Sequence, residues 1–176
     1  MRVSDLTDAV LSKMSTEDRA WVKSHSQARK RYGGAAKQGA WYVSADLDPE
    51  TGAAVLRIPY GMVSLNVWKS WHWSERDQWL SALTSATSLC RSALILAHPG
   101  EAERLPYPKA RVQVVHHFAR TRRRDPDNYA PKSLLDALRY SGWIQDDNAQ
   151  VLDLPQPAFI TDGKIETEVH ILRLEG

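Results

Sequence analysis

The hydrophobic positions of this chain recur with two different periods, and each change of period marks a new element. Two β-prone runs at residues 41–47 and 53–60 flank a turn-forming segment at 48–52, which predicts a β-hairpin. The segment 111–120 is rich in β-branched and aromatic residues and predicts a further strand. Near the end of the chain, three more strands are predicted at 151–154, 158–160 and 165–174.

A helical period separates these strands in two places. From Ser74, apolar residues at helical spacing predict a long helix that ends at the sequence HPGE at 98–101. Its predicted buried face consists of Trp79, Leu83, Ala86, Cys90, Ala93 and Ala97. A second helix is predicted over 128–140, with Pro131 in its first turn and Gly142 just past its end. The elements mix helices and strands, so the expected fold class is α/β in the broad sense. Because there is no strict βαβ repeat, we expect its α+β form, a mixed β-sheet with helices packed on it.

The chain divides into two parts of unequal length. Residues 1–40 are expected to form an N-terminal extension with weak helical patterns, followed from residue 29 by a basic, glycine-containing linker. A charge run beside glycines could contact nucleic acid, but it is more typical of a solvated linker. Residues 41–176 are expected to form the compact domain.

Composition and charge narrow the class of protein. A chain of 176 residues with 43% hydrophobic residues is typical of a folded domain, and its net charge of +2 does not by itself indicate nucleic-acid binding. The single cysteine, Cys90, excludes an internal disulfide and a Cys-based zinc site, and it is expected in the core. We find no apolar run long enough to cross a bilayer and no signal-peptide pattern, so we expect a cytoplasmic protein without a membrane partner.

Two pairs of aspartates flank the second predicted helix. Asp125 and Asp127 precede it, and Pro126 between them favours an extended backbone that would point both carboxylates to the same side. Asp127 or Asn128 could instead act as the helix N-cap. Asp146 and Asp147 follow the helix, which could turn the chain back so that the two pairs meet.

Gathered carboxylates repel each other and resist burial, so a site that holds them together usually holds a cation too. Mg²⁺ takes oxygen ligands and is typically bound by a few carboxylates together with substrate phosphate. Basic residues run together at 120–124, directly beside the first pair, and suit a polyanion. From spacing alone, a metal site and a solvated acidic loop both remain open.

Several short motifs follow one another in a specific order. They are RRRDPDN at 122–128, a lysine, LLDAL at 134–138, a glycine–aromatic pair, and DD followed by AQV, with a weaker match upstream at Ser64-Leu65-Asn66. In this combination the chain resembles the RusA family of Holliday junction resolvases over roughly residues 53–176. The resemblance implies a RusA-like fold and a homodimeric, Mg²⁺-dependent endonuclease that cuts four-way DNA junctions symmetrically.

The resemblance also implies roles for individual residues. Asp125, Asp127 and Asp147 would be the metal-binding catalytic acids, with Asp146 adjacent and supporting as a further metal ligand. Lys132 would take the position of the family's essential lysine and stabilise charge on the phosphate. The implied cofactor is Mg²⁺, with Mn²⁺ as a substitute. Relative to the family, one additional residue lies between Asp127 and Lys132, and another between Asp147 and Gln150.

Basic, polar and aromatic residues surround these acids. The residues predicted to contact nucleic acid are Arg120, Arg122, Arg123, Arg124, Asn128, Asn66 and Lys69. His116 and His117 are adjacent in a predicted strand and point to opposite faces, so they cannot ligate one ion together, and structural roles are expected for both. The tryptophans at 68, 71 and 73 could stack on bases, but such dense aromatics are more typical of a core or a dimer interface.

The predicted function is therefore a Mg²⁺-dependent, structure-specific DNA endonuclease that resolves four-way junctions by paired cleavage. A homodimer would offer two equivalent sites that match the two-fold symmetry of such a junction. One alternative is a metal-dependent nuclease with broader specificity for branched or flap DNA. Another is a junction-binding recombination accessory that does not cleave.

Overall fold

A mixed β-sheet organises the computed structural model, which describes residues 43–59, 61–129 and 131–175. Its strands are β1 Ser44–Leu47, β2 Ala54–Ile58, β3 Ala110–Phe118, β4 Leu152–Asp153, β5 Ala158–Thr161 and β6 Glu166–Arg173. The helices are α1 Leu65–Ser70, α2 Trp73–Ala97 and α3 Lys132–Tyr140, with 3₁₀ helices at Pro99–Glu103 and Pro126–Tyr129. The predicted N-terminal extension and its linker lie outside the described residues.

The strand order is β1-β2-β6-β3-β4, and β5 also pairs with β3. β1, β2, β6 and β3 are antiparallel neighbours, whereas β4 and β5 both run parallel to β3. Because β6 lies along one edge of β3 and β5 along the other, the turn between β5 and β6 crosses the end of β3 and forms no hairpin. The predicted mixed sheet with packed helices is confirmed, as is the hairpin of β1 and β2.

Helix α2 supplies much of the core that covers one face of the sheet. Its buried residues are Trp79, Leu83, Ala86, Thr87, Cys90 and Leu94. The prediction was wrong for Ala93 and Ala97, which are exposed, because the buried stripe passes through Leu94. Cys90 does lie in the core, and burial raises the pKa of its thiol to about 12.

By length and composition, α2 is also apolar enough to cross a membrane, so the expectation that the chain contains no such run was wrong. Serine and threonine residues interrupt the apolar run, but they lower its mean hydropathy too little to exclude a membrane-spanning helix. The core helix of a soluble protein can pass the same test. The buried stripe of α2 packs into the protein core, so its length and composition do not decide whether the protein is in a membrane.

Helix α3 begins later than the sequence predicted. Residues 126–129 form a separate 3₁₀ turn, and Pro131 is the N-cap of α3, where its carbonyl accepts a hydrogen bond from Leu135 N at 2.9 Å. A proline disfavours helical backbone in the residue before it, which opposes a single helix through this point. The predicted helix over 128–140 was therefore wrong at its start and right at its end.

The C-terminus of α3 is closed by Gly142, whose φ is +75°. Gly142 N donates to Arg139 O at 3.1 Å, and Trp143 N donates to Leu138 O at 2.9 Å, the bonding pattern of a Schellman motif. A left-handed backbone of this kind favours glycine because a Cβ crowds the following carbonyl.

Gly142→Ala is expected to lower the free energy of unfolding by about 1–2 kcal/mol, since alanine must adopt the left-handed conformation. Urea unfolding would measure the change. Gly100→Ala is the matched control, because Gly100 has no positive φ and a Cβ there would meet nothing within 4 Å. Equal effects of the two substitutions would contradict the role assigned to the backbone of Gly142.

Candidate functional site

The first acidic pair lies in an exposed turn after β3. Asp125 Oδ1 accepts a hydrogen bond from Asp127 N at 3.2 Å, and Asp125 O accepts one from Asn128 N at 3.0 Å. Asp127 thus belongs to the 3₁₀ helix Pro126–Tyr129, and the predicted extended arrangement of the pair was wrong. A short aspartate side chain competes well for a nearby backbone N–H, which favours such a turn. Both carboxylates are exposed.

Asn128 connects this turn to a distant part of the chain. Its Oδ1 accepts a hydrogen bond from Asn66 N at 3.0 Å. Asn66 lies in the first turn of α1, where backbone N–H groups have no partner within the helix, and the Ser64 side chain does not cap it. Asn128 therefore caps α1, whereas the predicted N-cap role of Asp127 or Asn128 for α3 was wrong. The bond brings segment 64–66 beside the first acidic pair.

Tyr129 anchors the 3₁₀ helix to the sheet through an aromatic cluster. Its ring centroid lies 5.3 Å from that of His116, 5.8 Å from that of Phe118 and 5.3 Å from that of Phe159. His116 is buried, and its Nδ1 lies 3.3 Å from Thr167 Oγ1. The first acidic pair is thereby held near the C-terminal end of β3, on the face that α2 and α3 cover.

Burial, together with the nearby His117, lowers the pKa of His116 from 6.5 to about 4. The unfolded chain therefore binds more protons than the folded one between these two pH values. Stability should fall as the pH decreases through that window, by up to about 3 kcal/mol from this group. His116→Phe keeps an aromatic ring and is expected to remove this component, as urea unfolding between about pH 7 and about pH 4.5 would measure. Identical pH profiles of the two proteins would contradict it.

The second acidic pair follows α3, and its two members differ. Asp146 Oδ1 accepts from Asp147 N at 2.8 Å and Asp146 Oδ2 from Asn148 Nδ2 at 2.8 Å, while Arg139 Nη1 lies 3.9 Å from Oδ1. These hydrogen bonds, assisted by Arg139, hold the pKa of Asp146 below its usual range. Asp146 is thus engaged locally through both oxygens, and Asp147 beside it is half-buried.

The two acidic pairs are attached at different ends of β3. The first is anchored by Tyr129 beside His116, whereas the second follows Gln145, whose N donates to Tyr107 O at 3.0 Å just before the strand begins. Among the described residues, one group of acids and histidines has its ligand atoms within 4.8 Å of one another, which is close enough to hold a metal ion. None of the four aspartates belongs to that group. Their joint ligation of one metal ion stays a prediction.

One face of α3 carries alternating charges between these pairs. Lys132 is the first residue of the helix, its side chain is 71% exposed, and its Nζ lies 3.6 Å from Asp136 Oδ2. Lys132, Asp136 and Arg139 recur at helical spacing and share this face, which continues to Asp146. An exposed pair of this kind is weak and leaves Lys132 available to an anion.

The predicted phosphate-binding arginines are not equivalent. The Arg124 guanidinium lies 3.4 Å from the Phe118 ring centroid and donates to Arg122 O at 2.8 Å and Arg120 O at 3.0 Å. It therefore shapes the loop, while the side chains of Arg120, Arg122 and Arg123 are exposed.

The residues of the WKSWHW segment also divide into exposed and packed side chains. The side chain of Lys69 is exposed. Trp71 packs against the rings of Trp68 and buried Trp79, with centroid distances of 5.8 and 5.4 Å, whereas Trp73 is 72% exposed. Packing on Trp79 agrees with a role beside the core for Trp71, whereas the exposed Trp73 does not belong to the core. The alternative role of these aromatics at a dimer interface stays a prediction.

A second group of ionisable residues was missed from the sequence. His117, Glu166 and Glu168 have ligand atoms within 4.8 Å of one another, and His117 Nδ1 lies 2.8 Å from Asp162 Oδ2. Residues 166, 168 and 170 alternate along the last predicted strand as Glu, Glu and His, so they share one face. That alternation was a visible signal, but the pairing of β6 with β3 was not.

A search with models of protein families found none that matches the chain, and a search of curated proteins found no significant match.

Proposed function

We propose that this chain is a Mg²⁺-dependent DNA endonuclease that resolves four-way junctions, with a RusA-like fold. The observation that carries the proposal is the hydrogen bond from Asn66 N to Asn128 Oδ1. It joins two of the separated segments that carry the resemblance, the weaker match Ser64-Leu65-Asn66 and the DPDN sequence at 125–128. Both carboxylates of the first pair are exposed where these two segments meet, so a phosphodiester can reach them.

The acids offer the oxygen donors that Mg²⁺ prefers. Asp125, Asp127 and Asp147 would hold the ion, and the engagement of both Asp146 oxygens favours Asp147 as the ligand from the second pair. A bound metal would activate water and stabilise the leaving oxygen. Because the two pairs are attached at different ends of β3, the proposal requires them to approach each other when metal and DNA bind.

Basic side chains around the first pair supply the electrostatics for a nucleic acid. Arg120, Arg122 and Arg123 are exposed, and Lys69 lies on α1, whose first turn is bonded to Asn128. Each phosphate that they neutralise releases condensed cations, so affinity for DNA should fall steeply as salt is raised. Lys132 would stabilise negative charge that develops on the phosphate during cleavage.

The exposed face of α2 supports a homodimer. Beyond Gln78, its exposed residues are all uncharged, namely Ser81, Ser85, Leu89, Ser92, Ala93, Leu96 and Ala97. Leu89 and Leu96 are 73% and 83% exposed, which is unusual for large apolar side chains on one helix face. Burial of this face against a second copy would provide two cleavage sites related by two-fold symmetry.

The test compares cleavage of a synthetic immobile four-way junction with that of linear duplex, flap and single-stranded DNA, with Mg²⁺ and with a chelator. We expect symmetric nicks confined to the junction and no cleavage with chelator. Cleavage of many branched substrates would favour the broader nuclease. Binding of the junction without cleavage would favour the recombination accessory.

A further inference from the structure

His117, Glu166 and Glu168 converge on the face of the sheet that lies opposite the helices. His117 and Glu166 are directly paired in the β3–β6 register, and Glu168 lies two positions further along β6. Side chains two apart on a strand, and directly opposite across a strand pair, lie on the same face. The register therefore places one imidazole and two carboxylates together, with ligand atoms within 4.8 Å of one another.

The ring of His117 is held in a defined orientation. Nδ1 lies 2.8 Å from Asp162 Oδ2, and because a carboxylate only accepts hydrogen bonds, the contact assigns the donating N–H to Nδ1. In the neutral imidazole, Nε2 then carries the lone pair. The side chain is only 9% exposed, and Nε2 has no hydrogen-bond partner among the described residues.

This lone pair faces negative charge. Nε2 lies 3.8 Å from Glu168 Oε2, and Glu166 completes the group. A buried acceptor that faces other acceptors is unfavourable unless a cation lies between them. The occupant of the space is therefore either a proton on Nε2 or a metal ion bound by all three side chains.

We propose that His117, Glu166 and Glu168 bind a divalent cation of the zinc class, with Asp162 as the residue that orients His117. One imidazole nitrogen with two carboxylate oxygens is a donor set that Zn²⁺ accepts, whereas Mg²⁺ prefers oxygen alone. A carboxylate on the second ring nitrogen is the usual support of a metal-bound histidine. Water would complete the coordination.

The neighbouring basic side chains leave room for this role. Arg57 Nε lies 3.3 Å from Glu168 Oε1 and His170 Nε2 lies 3.3 Å from Glu168 Oε2. Arg57 holds one oxygen of Glu168, so Oε2 is the atom directed toward His117. His170 must release or share that oxygen when the ion binds.

The ion would connect parts of the chain that are distant in sequence. Asp162 lies in the turn that crosses the end of β3, His117 lies near that end, and the two glutamates begin β6. Binding should therefore hold the turn between β5 and β6 against both β3 and β6. The site is also separate from the proposed catalytic acids, because Tyr129 packs on His116, whose side chain points to the opposite face.

The probe is Zn²⁺, titrated into the full chain against a chelating indicator in the presence of excess Mg²⁺, with Co²⁺ as a spectroscopic substitute. We expect one high-affinity ion per chain, visible Co²⁺ absorption of a site with nitrogen and oxygen ligands, and a rise in Tm with Zn²⁺. Glu166→Gln should abolish this binding. Asp162→Asn should weaken it about 10–100-fold, as expected for a residue that orients a ligand.

The control is Asp127→Asn, which removes a proposed catalytic acid and should leave Zn²⁺ affinity unchanged. Failure of junction cleavage with intact Zn²⁺ binding would thus separate the two proposals. His117→Gln is a second variant, with circular dichroism to verify its fold. The proposal would be overturned if Zn²⁺ binding survived Glu166→Gln. It would also be overturned if NMR showed Nε2 of His117 to be equally protonated with and without Zn²⁺.

Discussion

Under the proposed function, Asp127→Asn is expected to reduce the rate of junction cleavage by about a hundredfold or more, because a bound metal ion would contribute several kcal/mol of transition-state stabilisation that depends on its ligands. Affinity for the junction should persist, since the exposed arginines at 120, 122 and 123 remain. Single-turnover cleavage with Mg²⁺, together with a gel-shift titration of the same junction, would measure both quantities. The asparagine has nearly the same size, and the backbone N–H that bonds Asp125 is unchanged.

Asp77→Asn is the matched control, because Asp77 is an exposed acid on α2 that belongs to neither acidic pair. It should cleave at the wild-type rate. Comparison of Asp146→Asn with Asp147→Asn then tests which member of the second pair would bind the proposed metal, and the larger loss is expected for Asp147. Full cleavage by Asp127→Asn would show that the metal site has been assigned to the wrong residues.

Trp143→Ala is expected to lower the free energy of unfolding by about 3–5 kcal/mol, the range for removal of a fully buried large aromatic side chain. Trp143 has 0% of its surface exposed, and its Nε1 donates to Thr87 O at 3.0 Å. Thr87 Oγ1 in turn lies 3.0 Å from Ser141 Oγ, so the indole closes a buried contact between α2 and the end of α3. Urea unfolding with a common slope for variant and wild type would measure the loss.

Trp73→Ala supplies the control, since Trp73 is 72% exposed and should cost little in a monomer. Trp143→Phe should fall between the two, because it keeps most of the apolar contact but leaves Thr87 O without the indole donor. If Trp143→Ala and Trp73→Ala destabilise equally, the packing of α2 on α3 is not as described.

Local patterns predicted most of the elements correctly because their causes are local. Alternation and turn chemistry determine the hairpin of β1 and β2, and a glycine after the last apolar turn determines the end of α3 at Gly142. The start of α3 was predicted wrongly because two local tendencies compete there. Asp125 stabilises a 3₁₀ turn, and Pro131 opposes continuation into a single helix.

The candidate site was predictable in its residue types but not in its geometry. The acids and arginines of 120–128 stand out in the sequence, yet nothing in a local pattern indicates that Arg124 stacks on Phe118 or that Asn128 caps α1. Both contacts depend on the path of the loop after β3. The same holds for the two acidic pairs, which the sequence places 19 residues or more apart and which only tertiary structure can bring together.

The sequence by itself determined the class of elements, the buried stripe through Trp79, Leu83 and Cys90, and the acidic and basic composition of one region. Those properties follow from side-chain periodicity and chemistry within a few residues of each other. Only the tertiary structure decided which strand lies beside β3, and therefore that His117 faces Glu166 and Glu168. Strand register depends on contacts between residues far apart in the chain, so a group built across two strands is invisible until they pair.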